Sequence, residues 1–104
     1  MANGSLKTNV DLLIMGVLRH GQAHGYAIIA ALRDRSDGEF DLAEGTIYPA
    51  LHRLEDAGWV TSAVALVDGR RRRTYRLTAR GRRAFAAQQR EWHGFVAGVQ
   101  AVLG

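Results

Sequence analysis

Residues 10–18, "VDLLIMGVL", carry apolar side chains around nearly the whole circumference of a predicted helix. Such a helix has to be covered on every side, by its own core or by a second chain. A turn over residues 21–24 follows. "GYAIIAALRDRS" then shows one-sided patterning, in which Ile28 and Leu32, with Ile29 or Ala31, form the inner stripe of a second helix. His24 stands where it would cap or orient that helix. "DGEFDLAEG" reads as a connection anchored by Phe40 and Leu42. In "EGTIYPALHRLEDAG" the apolar residues Ile47, Leu51 and Leu54 recur at i, i+4 and i+7, predicting a third helix with Gly58 as its C′ stop. Opposite that stripe lie Thr46, Tyr48, Pro49, His52, Arg53 and Asp56.

Pro49 constrains where the third helix begins, because proline in a helix interior costs ~3 kcal/mol. With Thr46 as N-cap, Pro49 falls in the first turn, where its missing N–H has no intrahelical partner to lose. An earlier start predicts a kink instead. The period then shortens. "WVTSAVALV" and "RRTYRLT" are rich in β-branched and aromatic residues and flank Asp68-Gly69, the composition of a tight hairpin turn. Tyr75 and Leu77 share one face of the second strand, Thr74 and Arg76 the other. Thr78 is positioned to cap a long last helix. There Phe85, Trp92 and Val99 fall seven apart, with Gln88, Phe95 and Val102 in the alternate slot, a seam of coiled-coil type.

Charge changes the picture most. The net charge of the 104 residues is +4, yet residues 70–83 hold eight of the fourteen Lys and Arg and no acidic residue. The remainder has six basic against ten acidic residues, a net −4. A concentrated cationic stretch on an acidic body points to a docking polyanion. Arg80, Arg82 and Arg83 add to it at the positive end of the last helix. Each is unfavourable there by ~0.3–1 kcal/mol unless water screens it or an anion binds nearby.

The remaining chemistry mostly excludes. Without cysteine there are no disulfides, Cys-based zinc sites or thiol chemistry. His20 and His24 are four apart, but Gly21 and Gly25 disfavour a regular helix and no third ligand is apparent, so no metal is expected. Neither a phosphate-cradling glycine motif nor a nucleophile elbow nor a close carboxylate pair occurs, so neither catalysis nor a cofactor is expected. No apolar run approaches the roughly 18–20 residues that span a bilayer. The polar residues 1–9 read as a flexible arm with no signal-peptide core, so a cytoplasmic, non-membrane protein is expected.

Three helices, a two-stranded hairpin and a further helix make a mainly α (α+β) plan, that of a winged helix-turn-helix. Residues 10–78 form its body, and residues 79–104 its C-terminal helix. In such a plan the third helix offers its first residues to base edges in the major groove, and the wing lies along phosphates or in the minor groove. A winged helix used as a protein-interaction module, or one binding nucleic acid without sequence preference, would share these features.

"LLIMGVLRHGQAHGYAI", "EGTIYPALHRLEDAGWV" and "GRRRRTYRLTARG" together resemble the PadR family of bacterial transcriptional regulators, over roughly residues 10–92. The short C-terminal helix is similar to that of the family's compact members. The resemblance implies a homodimeric winged-helix repressor on operator DNA in the bacterial nucleoid, released by a small aromatic or hydrophobic effector. It also implies DNA contacts at Tyr26, Thr46, Tyr48, His52 and Arg53, and a wing at Gly69, Arg70, Arg71, Arg72 and Arg73. Leu13 and Val17 of the first helix would make the dimer interface with Phe85, Trp92, Phe95 and Val99 of the last. Trp92 matches a tryptophan that lines an effector pocket in some relatives. Ala43 departs from the capping residue common at its position.

Overall fold

The computed structural model describes residues 6–104, with side chains from Asn9 onward. Its elements are α1 (Leu6–Leu18), β1 (Ala23–His24), α2 (Gly25–Arg35), α3 (Glu44–Asp56), β2 (Val60–Val67), β3 (Arg70–Leu77) and α4 (Ala79–Leu103). Helix α1 starts at Leu6, so the last four residues of the expected arm are helical, and residues 1–5 lie outside the described residues.

The helix ends follow local chemistry. At the start of α2, His24 Nδ1 accepts the backbone N–H of Ala27 at 3.3 Å, the capping role expected of it. At its end, Ser36 Oγ donates to the Leu32 carbonyl at 2.7 Å and accepts the Phe40 N–H at 2.9 Å, which folds the connection back. Helix α3 begins earlier than Thr46: Ala43 is the N-cap, with no side-chain bond, and Pro49 lies inside the helix. The bond that Pro49 cannot make belongs to the carbonyl of Gly45, which is exposed, so solvent can take the place of the missing donor. At the other end Gly58, with φ +79°, closes a Schellman motif. Its N–H reaches the Glu55 carbonyl at 2.9 Å, and that of Trp59 reaches Leu54 at 3.0 Å.

Asp68 and Gly69 both take positive φ, 53° and 77°, the geometry of a type I′ turn. The turn sets an unbroken antiparallel register from Val67↔Arg70 to Val60↔Leu77. The sheet has three strands, not two. β1 pairs with the other edge of β3 through Ala23↔Tyr75 and His24↔Thr74, giving the order β1-β3-β2. Two residues beside glycines show no periodicity, so the stretch reads as a turn in the sequence.

Ile14, Met15, Leu18, Ile28, Ile47, Leu51 and Leu54 are fully buried. The core therefore lies where the stripes of α1, α2 and α3 converge, closed by Val60, Tyr75, Leu77 and Phe85. Helix α4 is rooted on the wing. Thr78 Oγ1 donates to the Gly58 carbonyl at 2.7 Å and caps α4 by accepting the Gly81 N–H at 2.9 Å. Gly81 packs so closely on the Trp59 carbonyl that no Cβ would fit. After Phe85, at 8% exposure, α4 has no buried residue, and the molecule measures 51 × 29 × 22 Å.

Candidate nucleic-acid interface

The face of α3 predicted to meet a ligand divides into three. Gly45, Pro49, His52 and Asp56, at i, i+4, i+7 and i+11, are exposed and form the outward line. Tyr48 and Glu55 flank it toward α2 and the wing. On the other flank Thr46 is half-buried, and Arg53 turns to α1, where its Nη2 lies 2.9 Å from Asp11 Oδ1. Arg53 is therefore not grouped with Tyr48 and the wing.

Tyr48 rests on the first turn of α2. A Cβ at Gly25 would collide with the Tyr48 hydroxyl and ring, so this close approach requires glycine. Burial raises the Tyr48 pKa above its ordinary value, with Tyr26 and Glu44 adding to the rise and Arg72 opposing it. The phenol is thus a neutral donor at physiological pH. Tyr26 is 50% exposed, and the Arg72 guanidinium stands 5.5 Å over its ring. An exposed cation–π pair of this kind contributes ~0.5–1 kcal/mol. It ties the wing to α2, so that Tyr26, Tyr48 and Arg72 form one continuous surface.

The four wing arginines alternate. Arg71 and Arg73 share a face with their partners Leu66 and Val64, while Arg70 and Arg72 share the opposite one with Val67 and Ala65. Arg73 Nη1 donates to Ser62 Oγ at 3.2 Å, and Ser62 Oγ donates to Glu55 Oε2 at 2.6 Å. This chain links the wing to the end of α3. Beneath it, burial and then Glu55 and Tyr48 raise the pKa of Tyr75, against the pull of Arg73. Arg70, Arg71 and Gly69 are exposed at the tip, and among the described residues the two arginines make no side-chain hydrogen bond or ion pair. The wing thus has a tethered base and a free cationic tip.

The expected interface residues separate as well. Val17 and Phe85 are used by the chain's own core, with the Arg19 guanidinium 5.9 Å over the Phe85 ring. Leu13 is half-buried, while Trp92, Phe95 and Val99 are exposed on α4. Trp92 and Phe95 lie 5.8 Å apart in a tilted pair. An open groove of about 440 Å³ runs between α1, α2 and α4, lined by Leu12, Leu13, Leu32, Phe40, Phe85 and Trp92. Arg35, Gln89 and His93 also line it. Among the described residues no group of three or more His, Cys, Asp or Glu could hold a metal ion, and no helix is long and apolar enough to cross a membrane.

The sequence pattern did not point to Asp11, Glu55, Ser62 or Gly25. The first three act through partners distant in sequence. Gly25, a glycine opening a helix one residue before Tyr26, was the one with a local signal.

The model of the "Transcriptional regulator PadR-like family" matches residues 14–87, most of the chain. The chain belongs to the PadR family. As a PadR-family member it is a transcriptional regulator and not an enzyme. It is 47% identical over 51 residues to the transcriptional regulator Rv3488 of Mycobacterium tuberculosis, a match spanning 49% of this chain and 48% of that protein. The crystal structure of a PadR family transcription regulator from Clostridium difficile R20291 matches with a TM-score of 0.82 and 33% identity, covering 91% of this chain and 98% of that one. Bacillus subtilis PadR, solved in complex with operator DNA, shares the fold with a TM-score of 0.70 and 24% identity, over 78% of this chain and 46% of that one. These relatives bear out the winged-helix plan, mainly α with a β wing.

Proposed function

We propose that this PadR-family regulator works as a homodimer that binds an operator duplex in the bacterial cytoplasm and represses transcription until a small aromatic or hydrophobic ligand releases it. The observation that carries the DNA reading is the contiguity of Tyr26, Tyr48 and Arg72, which makes one surface of α2, the first turns of α3 and the wing. On that surface Tyr48 and His52 address the major groove, with Thr46 reaching it from the opposite flank of α3, while Tyr26 donates to a phosphate, and Gly69, Arg70 and Arg71 follow the backbone beyond. The operator complex of Bacillus subtilis PadR supports the reading through the shared fold. The exposed aromatic and aliphatic face of α4 supports a second copy as partner, and the apolar groove beside Trp92 supports a ligand of the same character.

Selection from a random-sequence DNA pool tests this directly. The wild-type chain is expected to enrich one duplex and to bind it ~10³-fold or more tightly than a scrambled duplex of equal composition. A ratio near one, or equal affinity for RNA, would refute sequence-specific DNA binding.

A further inference from the structure

Arg53 carries a positive charge on the recognition helix, yet its guanidinium faces away from the wing. Its Nη2 is bonded to Asp11 Oδ1 of α1 at 2.9 Å, and its Nε is buried with no hydrogen-bond partner. Asp11 is more buried than Arg53, the side chains being 18% and 35% exposed. Two of the guanidinium's three nitrogens are therefore committed to the protein side. A residue reading a base edge or a phosphate would present that fork outward, since the planar array of donors is what makes arginine suited to such contacts.

The need for such a stay follows from how α3 is held. Its N-cap makes no side-chain bond, Pro49 deletes an internal hydrogen bond, and Gly45 adds backbone freedom in the first turn. The apolar stripe of Ile47, Leu51 and Leu54 fixes which side of the helix faces the core, but apolar contact is non-directional. Directional bonds lie on the two flanks. Glu55 is held by Ser62 on the wing side, and Arg53 by Asp11 on the α1 side. Side-chain ends lie roughly 5–6 Å from a helix axis, so a rotation of about 10° moves them by ~1 Å. That is enough to spoil a hydrogen bond to a base edge.

We propose that Arg53, acting through Asp11, is a positioning residue for DNA binding: the pair fixes the rotation of α3 about its own axis, and Arg53 does not touch the duplex. The inference rests on the DNA reading above. Its test uses the full chain with Arg53→Gln, Asp11→Asn, both together, and Arg53→Lys, each shown by circular dichroism to be folded at the assay temperature. Binding to the duplex enriched by the wild type, and to its scrambled counterpart, is measured across a salt series. Arg53→Gln and Asp11→Asn are each expected to weaken binding to the enriched duplex about tenfold, the effect of losing roughly one base contact. The double variant should lose no more than either single one, and Arg53→Lys should lose less than Arg53→Gln. Binding to the scrambled duplex and the salt slope should stay at wild-type values.

A neutral Asp11→Asn would overturn the proposal, and an Arg53→Gln whose slope of log affinity against log salt falls by ~0.9 per chain would overturn it by making Arg53 a phosphate contact. So would unchanged affinity in both single variants. Should Arg53→Gln fail to fold, Asp11→Asn and Arg53→Lys decide by the same readings. A wild-type chain that enriches no duplex overturns the proposed function itself, an outcome distinct from all of these.

Discussion

Two parts of the molecule reach beyond its core, the tip of the β2–β3 wing and the outer half of α4, and they meet water in opposite ways. Both satisfy their own backbone hydrogen bonds, one through the hairpin register and one along the helix. At its tip the wing presents Arg70, Gly69 and Arg71, groups that water solvates well, with Leu66 as its one strongly exposed apolar side chain. The outer half of α4 presents Trp92, Phe95, Val99, Val102 and Leu103, with Val102 84% exposed. Exposed apolar area costs about 25 cal/mol per Å² relative to burial, whereas a solvated guanidinium costs little. The difference teaches that the two projections call for different partners: the arginines are stable alone and gain from a polyanion, while the helix face is driven to be covered.

The largest expected effect follows from charging the apolar projection. Phe95→Asp with Val99→Asp should turn the proposed dimer into a monomer at micromolar concentration in sedimentation velocity. It should also weaken binding to the enriched duplex by ~10²-fold or more, because two linked half-site contacts become one. A wild-type chain that already sediments as a folded monomer would break the comparison at this end. Next comes the wing tip. Arg70→Ala with Arg71→Ala should flatten the slope of log affinity against log salt by ~0.9 per lost phosphate contact, or ~3.6 in a dimer, and leave sedimentation unchanged.

The smallest effect concerns pH and belongs to two tyrosines, Tyr48 of α3 and Tyr75 at the root of the wing. Tyr48 and Tyr75 have pKa values raised in the folded chain, chiefly by burial. Their contribution to stability is therefore fully present below the ordinary tyrosine value of about 10 and is lost as pH rises through the folded values. Thermal melts should be insensitive to these groups at neutral pH and should fall above about pH 10. Replacing both tyrosines by Phe should reduce that alkaline loss.

Much of the fold was legible because it rests on local chemistry. Asp68-Gly69, Gly58 and His24 each act within a few residues of themselves, as Thr78 does in capping α4, and the structure uses each as its type dictates. The stripe Ile47, Leu51, Leu54 likewise lies in the core. The start of α3 is open in the sequence, because Pro49 fits either a first turn capped by Thr46 or a longer helix, and the structure takes the longer one, capped at Ala43. The structure tolerates the missing bond by placing it on the exposed Gly45. β1 escaped notice because two residues carry no period. The candidate site was legible as residue types but not as partners. Asp11 and Arg53 are 42 positions apart, and only their folded neighbourhood joins them. Phe85 fits a seven-residue seam on paper, yet its position near the root of α4 puts it in the chain's own core. The period of two could have divided the wing arginines between two faces from the sequence alone.

The joint at Thr78 has a mechanical meaning. Thr78 is bonded to Gly58 and Trp59, and Gly81 is pressed against the Trp59 carbonyl, so α4 pivots on the stem of the hairpin rather than on a flexible linker. With 25 residues at 1.5 Å each, α4 is a lever of roughly 37 Å, and a tilt of ~5° at this hinge sweeps its far end by about 3 Å. Taken in reverse, a displacement of a few ångströms at the far end of α4 is geared down to a turn of a few degrees at the arginine-bearing hairpin.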